Sequence, residues 1–313
     1  MLVVLVASGF GAAVPAAGVS LPVVPRGVEV GEVEIGGLIS VQAEDRLARV
    51  YAQPIRFHFG GQRWAVDAKR LGARADAADA VERALQAKPG AKLPFGVTVN
   101  RKAIAKYVAG LDKRYARPAK NAQLVGLTNA FTPKFTEPTP GRRVARKVMV
   151  KRIERALRSS FRRGQLELEL VPVAPKMTAD DYGSIVVIRR GSNRLTLFDG
   201  PSTVRTFTVA TGAPEFPTPV GDFEIVVKEE NPTWNPPDSE WAKDAEPIPP
   251  GPGNPLGTRW MGLDVYAVGI HGTPDAASLG YSASHGCIRM AIPEAEWLFE
   301  QVDVGTPVYI VPA

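Results

Sequence analysis

The sequence predicts an α+β region followed by a mostly β region with one short helix. At 313 residues the chain exceeds what one hydrophobic core usually serves, so two folded regions are expected. In the N-terminal half apolar residues recur at helical spacing, and from Ser184 onward short β-rich runs follow one another between Gly, Pro and Asn.

The elements follow in order. From Leu2 to Val24 nearly every residue is apolar or small, the first charge is Arg26, and Val14-Pro15-Ala16-Ala17 offers the small residues of a cleavage site. Residues 1–24 are therefore expected to be a signal peptide or a membrane anchor, although no basic residue precedes the stretch and Pro15 and Pro22 interrupt it. Residues 25–175 read as an α/β domain. Ile104, Tyr107, Val108, Leu111 and Tyr115 share one helical face, as do Val150, Ile153, Leu157 and Phe161. Leu166, Leu168 and Leu170 alternate with Glu167 and Glu169 at the period of a half-buried strand.

Pro172, Pro175 and the polar run Thr178-Ala179-Asp180-Asp181 mark a linker into a second domain over 183–313. Its expected strands run from Ser184 to Arg190, Arg194 to Phe198, Val204 to Ala210, Asp222 to Val227, Leu263 to Val268 and Val308 to Val311. One short helix is expected from Pro293 to Val302, where Pro293 suits a first helical position and Glu294 and Glu296 suit the positive end. Between Glu230 and Thr258 the chain turns rich in Pro and Gly, and so long an irregular excursion in a compact domain is usually a functional loop or lid. Trp234, Trp241 and Trp260 are lid anchors or core.

The formal charge of +6 suggests an acidic partner, but basic balance alone does not separate nucleic acid, anionic lipid and wall polymer. Arg142, Arg143, Arg146, Lys147, Lys151, Arg152, Arg155, Arg158, Arg162 and Arg163 are relieved only by Glu154, and on a helix would form a positive face. That face is either solvated surface or a dock for anionic wall polymer or membrane; no nucleic-acid partner is expected. The single cysteine excludes an intrachain disulfide and a four-cysteine zinc site, and flags Cys287 as a reactive thiol.

Cys287 lies in Ser284-His285-Gly286-Cys287-Ile288-Arg289-Met290, and His271 lies upstream in Gly269-Ile270-His271-Gly272-Thr273. Cysteine catalysis needs a base for the thiol proton, a group that fixes the base's tautomer, and donors for the oxyanion. His271 is the candidate base if its strand lies beside the loop of Cys287, and the Gly272 carbonyl is the candidate orienter. Gly286 permits a sharp turn, so that the amides of Gly286 and Cys287 converge as an oxyanion hole. Arg289 suits a substrate carboxylate. His285, adjacent to the nucleophile, suggests a structural hydrogen bond. A rival reading makes His271, His285 and Cys287 three zinc ligands, but a thiolate consumed as a ligand leaves no nucleophile; no metal and no cofactor are expected.

The segment from Ile270 to Met290 resembles the signature of the L,D-transpeptidase (YkuD) catalytic domain, with further likeness at Thr211-Gly212, at Phe216 to Phe223, at Asn231 to Pro237 and at Pro250 to Gly257. Residues 25–175 are more loosely similar to a peptidoglycan-binding domain, through Gly36-Gly37-Leu38, Val66-Asp67-Ala68, Leu71-Gly72 and Val97-Thr98-Val99-Asn100. The resemblance implies a YkuD-like β-sandwich, with Cys287 as nucleophile, His271 as base, Gly272 as orienter and the His285-Gly286-Cys287 turn at the oxyanion. It gives Arg289 a supporting role for site and substrate, and Arg289, Ser284 and Trp260 are the expected substrate-binding residues. Met290 stands where the family's signature can carry asparagine, which removes one hydrogen-bonding group. The implied substrates are peptidoglycan stem peptides, joined by three-to-three cross-links; water as acceptor makes an L,D-carboxypeptidase, and a scaffold without turnover makes a wall-binding protein. Cell-wall polymer is the expected partner of the N-terminal domain, and the expected location is extracytoplasmic, in the wall or anchored facing it.

Overall fold

The computed structural model describes residues 21–159 and 164–313. The described chain forms two compact units: residues up to Arg117 with Arg142–Pro172, and Pro118–Gly141 with Val173–Ala313. The division is discontinuous, because Pro118–Gly141 lie inside the span 25–175 read as one domain yet pack in the second unit.

In the first unit α1 (Ser40–Ala52), α2 (Ala77–Leu85), α3 (Arg101–Tyr115) and α4 (Arg146–Leu157) pack with short sheets. Asp76 caps α2 through the amide of Asp79, and Asn100 caps α3 through the amides of Lys102 and Ala103. On α3 Ile104, Val108, Leu111 and Tyr115 are buried, as their spacing predicts. The leucine alternation is split between strands Gln165–Glu167 and Leu170–Val173, with Leu168 buried at the break.

The basic series is partly used internally. Arg146 pairs with Asp112, Arg152 with Glu169 and Arg158 with Glu154. Burial pushes the Asp112 carboxyl up, but the Val144 amide and the Arg146 guanidinium outweigh it and hold the group below its usual range. Phe161, Arg162, Arg163 and residues 1–20 of the expected leader lie outside the described residues. Among the described residues no helix is long and apolar enough to cross a membrane.

The second unit is built on one mixed sheet of eight strands. They are β1 (Ser184–Arg189), β2 (Arg194–Asp199), β3 (Ser202–Thr208), β4 (Gly221–Glu230), β5 (Arg259–Leu263), β6 (Gly269–Thr273), β7 (Ile288–Ala291) and β8 (Pro307–Val311), with α5 (Ile292–Gln301) following β7. The spatial order is β3-β2-β1-β8-β4-β5-β6-β7. Just beyond edge strand β3, Ala210 exchanges two backbone hydrogen bonds of 2.9 Å with Arg289 on β7, so the sheet curls until its edges meet. The implied sandwich thus takes a barrel-like form. One core fills it, drawing on Leu195, Phe207, Ile225, Met261, Ile270, Ile288 and, from α5, Leu298 and Phe299. Outside, the hairpin Leu124–Leu127 with Pro133–Phe135 covers Ile185, Val187 and Phe198.

The strand expected from Leu263 to Val268 is instead a turn between β5 and β6. The Leu263 amide donates to the Val268 carbonyl and Ala267 sits at φ +57°, which closes a hairpin and ends the extended run. The excursion is as expected: β4 ends at Glu230, Asn231 turns at φ +47°, and β5 resumes at Arg259.

Candidate active site

Strands β6 and β7 run parallel with Ile270 opposite Ile288, His271 opposite Arg289 and Gly272 opposite Met290. Ile270, Ile288 and Met290 enter the core. By the alternation of a strand, His271 and Arg289 face the other way, and Cys287 stands in the bend just before β7, where its thiol meets the Ala267 carbonyl and the Gly269 backbone. The thiol thus lies against the turn that leads into β6, two residues before His271, and both groups feel the charge of Arg289.

His271 is 3 % exposed, and its Nδ1 lies 2.7 Å from the Gly272 carbonyl. That carbonyl accepts, so Nδ1 carries the proton and Nε2 keeps its lone pair. Burial lowers the imidazole pKa to about 4; the Gly272 bond opposes the shift and the Arg289 charge adds to it. The thiol of Cys287 donates to the Ala267 carbonyl at 3.4 Å. Burial pushes its pKa up, against smaller downward pulls from the Gly269 backbone and Arg289. The resting pair is thus a neutral thiol and a neutral imidazole.

The loop before the nucleophile is fixed by Ser284. This residue is 2 % exposed; its hydroxyl donates to the Cys287 carbonyl at 2.6 Å and accepts from the Gly286 amide at 3.1 Å. Two expectations are corrected here. Ser284 spends its hydroxyl proton on the Cys287 carbonyl, so it has no donor left for a substrate. Gly286, at φ +113°, turns its amide back toward Ser284, so of the two amides expected to converge only that of Cys287 remains as the oxyanion candidate. Thr211–Gly212 pair in parallel with Ser282–Ser284 and brace this loop from behind, with Gly212 tied to the buried hydroxyl of Thr218.

His285 is held by rings. Trp241 of the excursion stacks on it at 4.0 Å and 17°, and Phe216 lies against it at 4.8 Å and 48°. Among the described residues no hydrogen bond is made to its imidazole, so stacking replaces the expected structural bond. The excursion itself is stapled by Asn254, 1 % exposed, whose amide donates to the carbonyls of Pro232, Ile248 and Pro249. Sequence reasoning left Trp241 undecided between lid and core, and did not place Phe216 or Thr218 in the site. Only the long irregular loop and the likeness around Phe216 hinted at them.

Arg289 lies 3.9 Å from Asp275 and adds positive potential at His271, His285 and Cys287. Trp260, opposite His271 on β5, has its ring 5.9 Å from the imidazole and lies over Gly269. His58 belongs to the strand Ile55–Phe59 of the first unit. Among the described residues no group of three or more His, Cys, Asp or Glu is placed to hold a metal ion. The arrangement suits attack by a thiol on a carbonyl, with a buried neutral imidazole taking the proton.

Two family profiles match the chain: the L,D-transpeptidase catalytic domain (YkuD) over residues 183–310, and a "Putative peptidoglycan binding domain" over residues 64–164. Among curated proteins, "Putative L,D-transpeptidase YqjB" of Bacillus subtilis (strain 168) is 36% identical over 130 residues, which cover 40% of this chain and 69% of that protein. A second relative, "Putative L,D-transpeptidase in ATP synthase subunits region ORF 5" of Fuscovulum blasticum, is 44% identical over 93 residues, covering 29% of this chain and 49% of the relative, about half its length. Among solved structures, an L,D-transpeptidase of Enterococcus faecium aligns at 16% identity over 87% of this chain and 99% of its own, with a TM-score of 0.37. One from Mycobacterium tuberculosis H37Rv aligns at 20% identity over 45% of this chain and 65% of its own, with a TM-score of 0.35. Likeness at these scores transfers no detail of arrangement.

Proposed function

Because this chain belongs to the L,D-transpeptidase family, we propose that it forms three-to-three cross-links in peptidoglycan through a thioester on Cys287. The observation that supports the proposal is a buried imidazole with a bare Nε2 on β6, on the same strand whose Gly269 backbone the Cys287 thiol meets.

In the proposed reaction Nε2 of His271 takes the Cys287 proton as the sulfur attacks the carbonyl of the third residue of a donor stem. The oxyanion is met by the Cys287 amide. Collapse breaks the bond to the terminal D-alanine, whose nitrogen receives the proton from His271, and a thioester remains. The side-chain amine of a neighbouring stem then attacks the thioester and gives a proton to His271, which returns it to the departing thiolate. No external acid, oxidant or metal enters this balance. Arg289 supports the site electrostatically: its charge favours thiolate and disfavours imidazolium. In this reading the N-terminal unit holds the wall and the work is done outside the cytoplasm, which the match to a putative peptidoglycan binding domain supports.

The test is mass analysis after incubation with disaccharide-tetrapeptide. Cross-linked dimers that have lost one D-alanine are expected, together with a carbapenem adduct that Cys287→Ala abolishes. Disaccharide-tripeptide as the sole product would make water the acceptor, and unchanged tetrapeptide would refute the proposal.

A further inference from the structure

The first unit contains a cleft of about 1470 Å³ lined by residues of that unit alone. It is framed by the end of α1, the antiparallel strands Ala73–Ala75 and Val97–Val99, and the start of α3. Its inner surface is small and apolar, with Ala68, Ala73 and Val97 buried. Five cationic side chains line it, Lys69, Arg70, Arg74, Arg101 and Lys102, against a single carboxylate, Asp67. Arg101 is engaged by Glu154 at 3.2 Å. The other four form no ion pair among the described residues, whereas Arg146, Arg152 and Arg158 are each matched by a carboxylate; Lys147, Lys151 and Arg155 of α4 are likewise unpaired, but they do not line the cleft.

Unmatched cations around a concave surface raise the local positive potential and suit an anionic ligand. The walls narrow the choice. A phosphate polymer would gain charge contacts but nothing from alanine and valine surface, whereas a peptide of small side chains bearing free carboxylates would use both. We propose that this cleft is where the N-terminal unit grips peptidoglycan, and that it does so through the carboxylates of stem peptides. The inference rests on the reading of this unit as a wall-binding domain and names its site and its chemistry.

The experiment is cosedimentation of the full chain with purified sacculi, in three forms: intact, stripped of anionic phosphate polymers, and stripped with the peptide carboxyls amidated. The wild type is expected to bind the first two alike and to lose about tenfold or more on amidation, the scale of one lost charge-assisted hydrogen bond. The triple variant Lys69→Glu, Arg70→Glu, Arg74→Glu is expected to lose as much on stripped sacculi while its Cys287 still forms the carbapenem adduct at the wild-type rate. Should that variant melt early, the neutral pair Arg70→Gln, Arg74→Gln gives the same measurement with less charge disturbance. Undiminished binding by a folded variant, equal binding to amidated sacculi, or binding only where phosphate polymer remains each overturns the cleft proposal. A wild type that binds no form of sacculus overturns the wall-binding reading itself.

Discussion

Acid titration of His271 is the perturbation that most directly probes the resting site. An imidazole in water titrates near 6.5, and burial holds this one at about 4. At about 1.4 kcal/mol per pH unit, charging it inside the protein is about 3 kcal/mol harder than in water. The base should therefore stay neutral well below pH 6.5, and the rate of Cys287 acylation by a carbapenem should hold nearly level from pH 7 to pH 5, then fall with a midpoint near about 4. Stability is linked to the same group. The unfolded chain takes up the proton below about pH 6.5 while the folded one refuses it until about 4, so stability falls across that window by as much as about 3 kcal/mol and falls no further from this group below it. Single-turnover mass spectrometry across pH 3.5 to 8, with a ¹⁵N titration of the imidazole, measures both. An acylation midpoint near 6.5 would refute the reasoning, since it would mean that the base is solvated or is a different group.

Three substitutions probe the surroundings. Trp241→Ala removes the ring stacked on His285 and about 1 kcal/mol of contact, so alkylation of Cys287 by iodoacetamide should speed up several-fold; an unchanged rate means the excursion does not guard the thiol. Ser284→Ala leaves the Gly286 amide and the Cys287 carbonyl without partners in a buried loop, at about 1 to 3 kcal/mol for each group, and calorimetry should register a lower melting temperature together with slower acylation. Gly269→Ala would place a Cβ 2.4 Å from the Trp260 ring; the ring must move, at about 1 to 3 kcal/mol, and a variant that melts and reacts like the wild type would show that Trp260 is not fixed against β6.

How much of this was legible depends on the range of the forces involved. The helical face of Ile104, Val108, Leu111 and Tyr115 is a local pattern, and α3 buries it as read. The boundaries of the excursion were equally plain, because Pro and Gly announce where pairing stops. The turn at 264–268 was misread because Leu263 and Val268 are both apolar, and periodicity carries no sign of the positive φ at Ala267. Pro118–Gly141 lie within 25–175 in sequence but pack in the second unit, because the apolar face of Phe131 and Phe135 meets Ile185, Val187 and Phe198, a contact across some 50 positions or more of chain.

The sequence by itself determined the chemical cast: one thiol, a histidine upstream, glycines where the chain must turn, and strands at their approximate places. Only the tertiary structure decided what state those groups rest in and what surrounds them. Burial is a sum over distant elements, so the lowered pKa of His271 and the raised pKa of Cys287 depend on strands and loops far apart in sequence. The same holds for Trp241 on His285, for the Gly286 amide spent on Ser284, and for the meeting of Ala210 with Arg289 that closes the sheet. Residue types set which bonds are possible; chain closure in three dimensions sets which of them are made.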